Sequence, residues 1–269
     1  METLKLWEKQ TPYFVPEYSQ EETTLTLYHA ENPSKEKGFV IICPGGAYVG
    51  RAYHEGEPVA QMLSKAGISS AVLNYRVAPY KHPAMLADAN RAVRFVRYHA
   101  EQWKIDPEKI AILGFSAGGH LAVSACEHYD YGKTQDESAD EIDRMSSRPN
   151  AGIFCYPVAT LDTEFTHLGT LHSLLGDTPD EKLVHKLSGQ NSVPDDCPPV
   201  FIWHTAEDQG VDVNNSLLLA QALKRKKIPF ELHVFPYGAH GLGLAEENEN
   251  VSQWSKLLVS WLKLYGFLG

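Results

Sequence analysis

Gly114-Phe115-Ser116-Ala117-Gly118 lies between Lys109-Ile110-Ala111-Ile112-Leu113, a short apolar and partly β-branched run, and Gly119-His120-Leu121-Ala122-Val123-Ser124-Ala125, which reads as the start of a helix. Strand, sharp turn and helix follow one another, with Ser116 at the apex. Glycine on either side of the serine lets neighbouring backbone approach where a Cβ would intrude, and the turn lifts the hydroxyl clear of the sheet. A bare Gly-x-Ser-x-Gly arises by chance in about one chain of this length in ten, so its weight comes from the flanking strand and helix.

Working outward, Gly38-Phe39-Val40-Ile41-Ile42-Cys43 is a continuous apolar run, as in a strand buried on both faces, and it ends in Pro44-Gly45-Gly46-Ala47-Tyr48. Glu57 to Lys65 has helical spacing (Val59, Met62, Leu63) and stops at Gly67; Ile68 to Tyr75 is the next strand. After a loop bearing Pro79 and Pro83, one amphipathic helix is expected from Met85 to Trp103, its basic residues away from the apolar stripe. Met1 to about Glu22 reads as an irregular arm, followed by a strand near Thr23–Tyr28. Downstream of Ser116, strands are expected at Ala151–Tyr156, Val200–Thr205 and Phe230–Phe235, and helices at Asn214–Lys226 and from about Glu246 to Leu264. Such alternation calls for an α/β fold with a mostly parallel central sheet and helices on both faces. With 269 residues and no Pro/Gly/Ser-rich linker near the middle, one domain is expected over 1–269.

Two segments stand outside the alternation. His128 to Asn150 is polar and acidic (Asp136-Glu137, Asp140-Glu141, Asp143) and is expected to be a solvated connection. Residues 157–199 carry weak helix signals around Thr170–Leu175 and Pro179–Leu187, and an insertion of this length is expected to act as a short cap or pocket wall.

A hydrophobic content of 43% with 22% charged residues suits a soluble globular protein, and no apolar run approaches the ~18 residues needed to span a bilayer. The formal charge of −10 argues against nucleic-acid and anionic-membrane partners. The N-terminal residues lack a basic-then-apolar signal pattern, so a cytoplasmic address is expected. Cys43, Cys126, Cys155 and Cys197 form no Cys-x-x-Cys pair and are expected as buried free thiols.

A serine hydroxyl needs a base within hydrogen-bond reach, and the base needs a carboxylate to set its tautomer. Twelve histidines compete. Functional groups of an open α/β sheet lie beyond the carboxyl ends of its strands, which favours His240, in the glycine-rich loop after Phe235. His120 and His204 are expected to be packed and structural; His54 and His82, together with Tyr48, are expected to line a substrate pocket. The carboxylate is expected from the loop after Thr205: Asp208 first, with Asp212 in reserve because helix capping is its obvious use. The amide after the serine, that of Ala117, and amides of the Gly46-Ala47 turn are the expected oxyanion donors. No His-Glu-x-x-His pattern and no close His/Cys cluster suggests a metal, and no cofactor is expected.

Together, Pro44–Tyr48, Gly114–His120, His204–Asp208 and Phe235–Gly241 resemble the bacterial acetyl xylan esterase/acetylesterase-like branch of the α/β-hydrolase superfamily over nearly the whole chain after the N-terminal arm. Two departures stand out: Pro44 replaces the histidine of His-Gly-Gly-Gly loops, and Val211-Asp212 replaces a frequent Val-Pro. The resemblance implies an α/β-hydrolase fold, a Ser116-Asp208-His240 triad, and hydrolysis of short acyl esters, acetyl foremost, of sugars or xylo-oligosaccharides. The expected partner is a small-molecule ester, with a second copy of the chain also to be considered. An oligopeptidase-like hydrolase and a non-catalytic binding protein of the same fold are the alternative readings.

Overall fold

The computed structural model describes residues 2–8, 11–31, 38–130, 132 and 139–268. Eight strands form one sheet: β1 (Glu2–Lys5), β2 (Thr24–Tyr28), β3 (Phe39–Cys43), β4 (Ser69–Asn74), β5 (Ile110–Phe115), β6 (Ala151–Cys155), β7 (Val200–Thr205) and β8 (Phe230–Phe235). Their spatial order is β1-β2-β4-β3-β5-β6-β7-β8. β1 and β2 run antiparallel to their neighbours; from β4 to β8 every pairing is parallel.

The central strands are apolar at every position because both faces are covered. Ile41, Ile112, Phe154 and Ile202 pack on one side with Val93 and Val96 of α2 (Ala84–Tyr98) and Leu121 of α4 (Ser116–Glu127). Val40, Ile42, Leu113, Ile153 and Trp203 pack on the other with Val59 and Leu63 of α1 (Glu57–Lys65) and Trp254, Leu258 and Trp261 of α9 (Gln253–Leu264). Successive residues of one strand thus enter opposite cores. The chain goes from β3 to β4 on one side and then crosses to β5 on the other, so after β3 and β5 it leaves the sheet's carboxyl edge toward opposite faces, to α1 and to α4. The register pairs Cys43 with Gly114, Phe115 with Cys155 and Thr205 with Phe235, which brings the ends of β3, β5, β6, β7 and β8 to that edge.

Several expectations need correcting. The arm contains β1, only four residues long and paired through its backbone to β2; it is too short and too exposed for a hydrophobic period to reveal. The helix expected over Met85–Trp103 breaks at His99 into α2 and α3 (Ala100–Trp103). The His99 ring donates to the Phe95 carbonyl (2.9 Å) and lies stacked on the rings of Phe95 and Trp103. The last helix starts at Gln253 rather than near Glu246: Ala245 is left-handed (φ 56°) and Asn248 turns the chain by accepting from the Val251 amide (3.1 Å).

Nor is 128–150 merely a solvated connection. Arg91, 1% exposed, holds Asp140 (2.6 Å) and Asp143 (2.7 Å), Arg94 pairs with Asp130, and Arg97 donates to the Arg148 carbonyl (2.9 Å). The three arginines share one side of α2, so basic residues that a helical wheel assigns to solvent instead anchor this segment. Asp136 and Glu137 lie outside the described residues.

Candidate active site

Ser116 opens α4 directly after β5 with φ 52°, a left-handed conformation costing a non-glycine residue about 1–2 kcal/mol. The surrounding glycines make the turn feasible. A Cβ on Gly114 would lie 2.0 Å from the Gly118 carbonyl oxygen, and one on Gly118 would lie 2.1 Å from the Cys43 oxygen and 2.4 Å from that of Pro44. The turn is thereby pressed against the end of β3, placing Ser116 beside the Gly45–Tyr48 loop.

His240 Nε2 is 2.8 Å from Ser116 Oγ, and His240 Nδ1 is 2.7 Å from Asp208 Oδ2. Asp208 is 7% exposed, and its other oxygen, Oδ1, accepts from the amides of Gly210 (2.8 Å) and Val211 (2.9 Å). Burial alone would raise its pKa; bonds from His204, His240 and the Val211 amide outweigh it and hold the carboxyl well below the usual range. Asp212 instead turns to the start of α8 (Asn214–Lys226), accepting from the Asn214 amide at 2.7 Å, and Glu207 accepts from the Gly238 amide at 3.1 Å. Of the three acidic side chains in this loop, Asp208 is the one that meets His240.

After β3 the backbone takes Gly46 to φ 132°, Ala47 to 51° and Tyr48 to 59°. Among the described residues, no acceptor meets the amides of Gly46, Ala47 or Ala117. Tyr48 does not take the expected place in a pocket wall. It is 1% exposed, with its hydroxyl bonded to His120 Nδ1 (2.9 Å), because the left-handed turn directs the ring inward against Tyr75. His54 is exposed and its Nε2 bonds the Gly241 carbonyl (2.8 Å), bracing the His240 loop. His82 is half-buried on the loop before α2, its amide on the Leu174 carbonyl (2.9 Å); burial first, then His128 and Lys186, push its pKa down to about 4.

His120 is buried between Tyr48 and the Leu187 carbonyl (2.9 Å), and His204 between Ser216 Oγ (2.8 Å) and the Val211 carbonyl (2.9 Å). All four cysteines are buried and free. The 157–199 segment folds into α5 (Leu168–Leu175), α6 (Glu181–Lys186) and α7 (Gly189–Ser192), and the Val158 amide ties it to the Ser116 carbonyl (3.0 Å).

Three residues near the site carried no sequence signal. His167, capping α5 through Nδ1, has its pKa lowered by burial and then by His240. Glu55 and Tyr156 bond each other at 2.6 Å, and the Tyr156 ring lies edge-on to His240 with centroids 5.1 Å apart. A lone glutamate between loops and a tyrosine ending a strand have no spacing that singles them out. Among the described residues, no helix is long and apolar enough to cross a membrane.

A family model described as BD-FAE matches residues 25–223. The chain is 39% identical over 233 residues to endo-1,4-beta-xylanase B of Butyrivibrio fibrisolvens, covering 84% of this chain and 36% of that protein. It is 31% identical over 246 residues to the acetylxylan esterase of Xylanibacter ruminicola, covering 89% of this chain and 48% of that protein. The chain therefore spans between a third and a half of the length of these two curated relatives. The crystal structure of an acetyl ester-xyloside bifunctional hydrolase from Caldicellulosiruptor lactoaceticus superposes with a TM-score of 0.95 at 48% identity, over 100% of this chain and 97% of that one.

Proposed function

The chain belongs to the BD-FAE family of α/β-hydrolase-fold esterases, and from that premise we propose that it is a serine carboxylesterase removing short acyl groups, acetyl foremost, from sugars or xylo-oligosaccharides. The observation that carries the mechanism is the continuous Ser116–His240–Asp208 chain, with separations of 2.8 and 2.7 Å.

Ser116 Oγ attacks the ester carbonyl carbon while His240 Nε2 takes its proton. Asp208 holds Nδ1–H, fixes the ring's tautomer and stabilises the imidazolium. The carbonyl oxygen, now an oxyanion, turns to the amides of Ala117 and the Gly46-Ala47 turn, each donor worth roughly 3 kcal/mol. Collapse expels the alcohol, which takes the proton from His240. Water, deprotonated by His240, then attacks the acyl-enzyme; acetate leaves and Ser116 regains its proton. We read the chain as one hydrolase domain in which 157–199 shapes the acyl or sugar pocket.

The test is turnover of p-nitrophenyl acetate, longer p-nitrophenyl esters and acetylated xylo-oligosaccharides by the wild type and Ser116→Ala. The expected result is Ser116-dependent hydrolysis, greatest for acetate, that declines with acidification as His240 becomes imidazolium. Absence of Ser116-dependent turnover on every ester overturns the proposal.

A further inference from the structure

Glu55 ends a single turn of 3-10 helix (Tyr53–Glu55) and is 2% exposed, yet both of its carboxylate oxygens are engaged. Oε2 accepts from the Gly45 amide (2.7 Å), at the start of the loop that carries Gly46 and Ala47. Oε1 accepts from the Tyr156 hydroxyl (2.6 Å), whose oxygen in turn accepts from the Gly243 amide (2.9 Å), three residues past His240. Its neighbour His54 holds the same loop at Gly241. Gly45 is close enough that a Cβ there would lie 2.6 Å from Glu55 Oε2 and 2.9 Å from Ser116 Cβ.

We propose that Glu55 is a positioning residue that joins the oxyanion loop to the His240 loop, so that one buried carboxylate sets the distance between the two halves of the catalytic apparatus. The proposal rests on the serine-esterase reading above. The tie is needed because Gly46, Ala47 and Tyr48 all have positive φ, and two of them are not glycine. Left alone, such a loop relaxes, and amides displaced by even 1 Å lose their grip on the oxyanion. A carboxylate suits the task for a specific reason. Both of its oxygens accept, whereas a carboxamide puts a donor nitrogen opposite one of the two donors it must satisfy. Glu55→Gln therefore keeps the volume and forfeits one of the two ties.

The experiment measures kcat and KM for p-nitrophenyl acetate per active site, the sites being titrated with a fluorophosphonate, in wild type, Glu55→Gln, Tyr156→Phe and the double variant. Melting curves are recorded alongside. The expected result is a fall of about 10-fold or more in kcat per titrated site for Glu55→Gln, with KM within about threefold. Tyr156→Phe, which spares the Gly45 tie, should fall less, and the double variant should fall by less than the product of the two because they share one link. A kcat per titrated site within twofold of wild type in Glu55→Gln shows a purely structural residue and overturns the proposal. If Glu55→Gln does not fold, Tyr156→Phe decides: an unchanged kcat per site overturns it, a reduced kcat at unchanged KM supports it. Turnover of p-nitrophenyl acetate by Ser116→Ala, measured per mole of protein, separates the premise from the inference, since turnover retained there would remove the serine mechanism itself.

Discussion

Ser116 and His240 are 124 residues apart in the chain and 2.8 Å apart in space, Oγ to Nε2. Ser116→Ala and His240→Ala should each lower kcat for p-nitrophenyl acetate by about 10³-fold or more while the protein stays folded. A fluorophosphonate should label the wild type and not Ser116→Ala. Equal labelling of both would place the reactive group elsewhere.

The acid can be assigned by comparing two aspartates in one loop. Asp208→Asn leaves the shape but forces the wrong imidazole tautomer, so kcat should drop by about 10³–10⁴-fold. Asp212→Asn should keep activity within about threefold, because Asp212 serves the Asn214 amide at 2.7 Å. The reverse ranking in steady-state kinetics would reassign the acid.

Gly118 and Gly50 differ in what surrounds them. Gly118→Ala brings a Cβ to within 2.1 Å of the Cys43 carbonyl oxygen, so it should cost about 3 kcal/mol or prevent folding, and it should distort the Ser116 turn. Gly50→Ala meets nothing within 4 Å and should leave the urea midpoint unchanged or slightly raised. Similar midpoints for the two variants would refute this contrast.

Arg91→Met should destabilise the protein by about 3 kcal/mol at pH 7, since it strands Asp140 and Asp143 while each remains about a quarter exposed (25% and 27%). The hydrogen bond from Arg91 is the main cause that pushes Asp140 down from 3.8 to about 2. A depressed carboxylate contributes stability above its unfolded value and loses it as the pH falls through the folded one. The gap between wild type and variant should thus narrow between pH 4 and 2. Urea midpoints at pH 7, 4 and 2.5 test this, and a gap independent of pH would count against it.

Burial pushes His120 down from 6.5 to about 4, which corresponds to about 3 kcal/mol. Here the unfolded chain binds the proton first. The neutral buried ring stabilises fully above pH 6.5, and that contribution is lost as pH falls toward 4. The denaturation midpoint of wild type should decline across this window, more steeply than that of His120→Asn; parallel slopes would rule out His120 as the source.

The central strands and Ser116 were legible because they depend on local patterns. Val200–Thr205, Asn214–Lys226 and Phe230–Phe235 have the expected bounds, since each apolar run or helical period ends at a turn residue that the chain itself supplies. The strand-turn-helix around Ser116 could be read for the same reason: its glycines answer a steric demand met within five residues. β1 could not, because its stability lies in backbone bonds to a strand some twenty residues away, and the break at His99 arises from rings stacking around it.

By itself, the sequence determined the α/β class, the serine at its turn and a short set of partners for it, because periodicity, glycine sterics and strand-end position are properties of neighbouring residues. Only the tertiary structure decided the rest. It set Asp208 rather than Asp212 against His240, turned Tyr48 inward onto His120 and drew Asp140 and Asp143 onto Arg91. It also brought Glu55 between Gly45 and Tyr156, which are 10 and 101 residues from it along the chain. The first, second and last of these follow from how loops converge at the carboxyl edge of the sheet, and the Arg91 pairs from how 128–150 packs along α2; a buried polar group takes whichever partner that packing brings within hydrogen-bond reach.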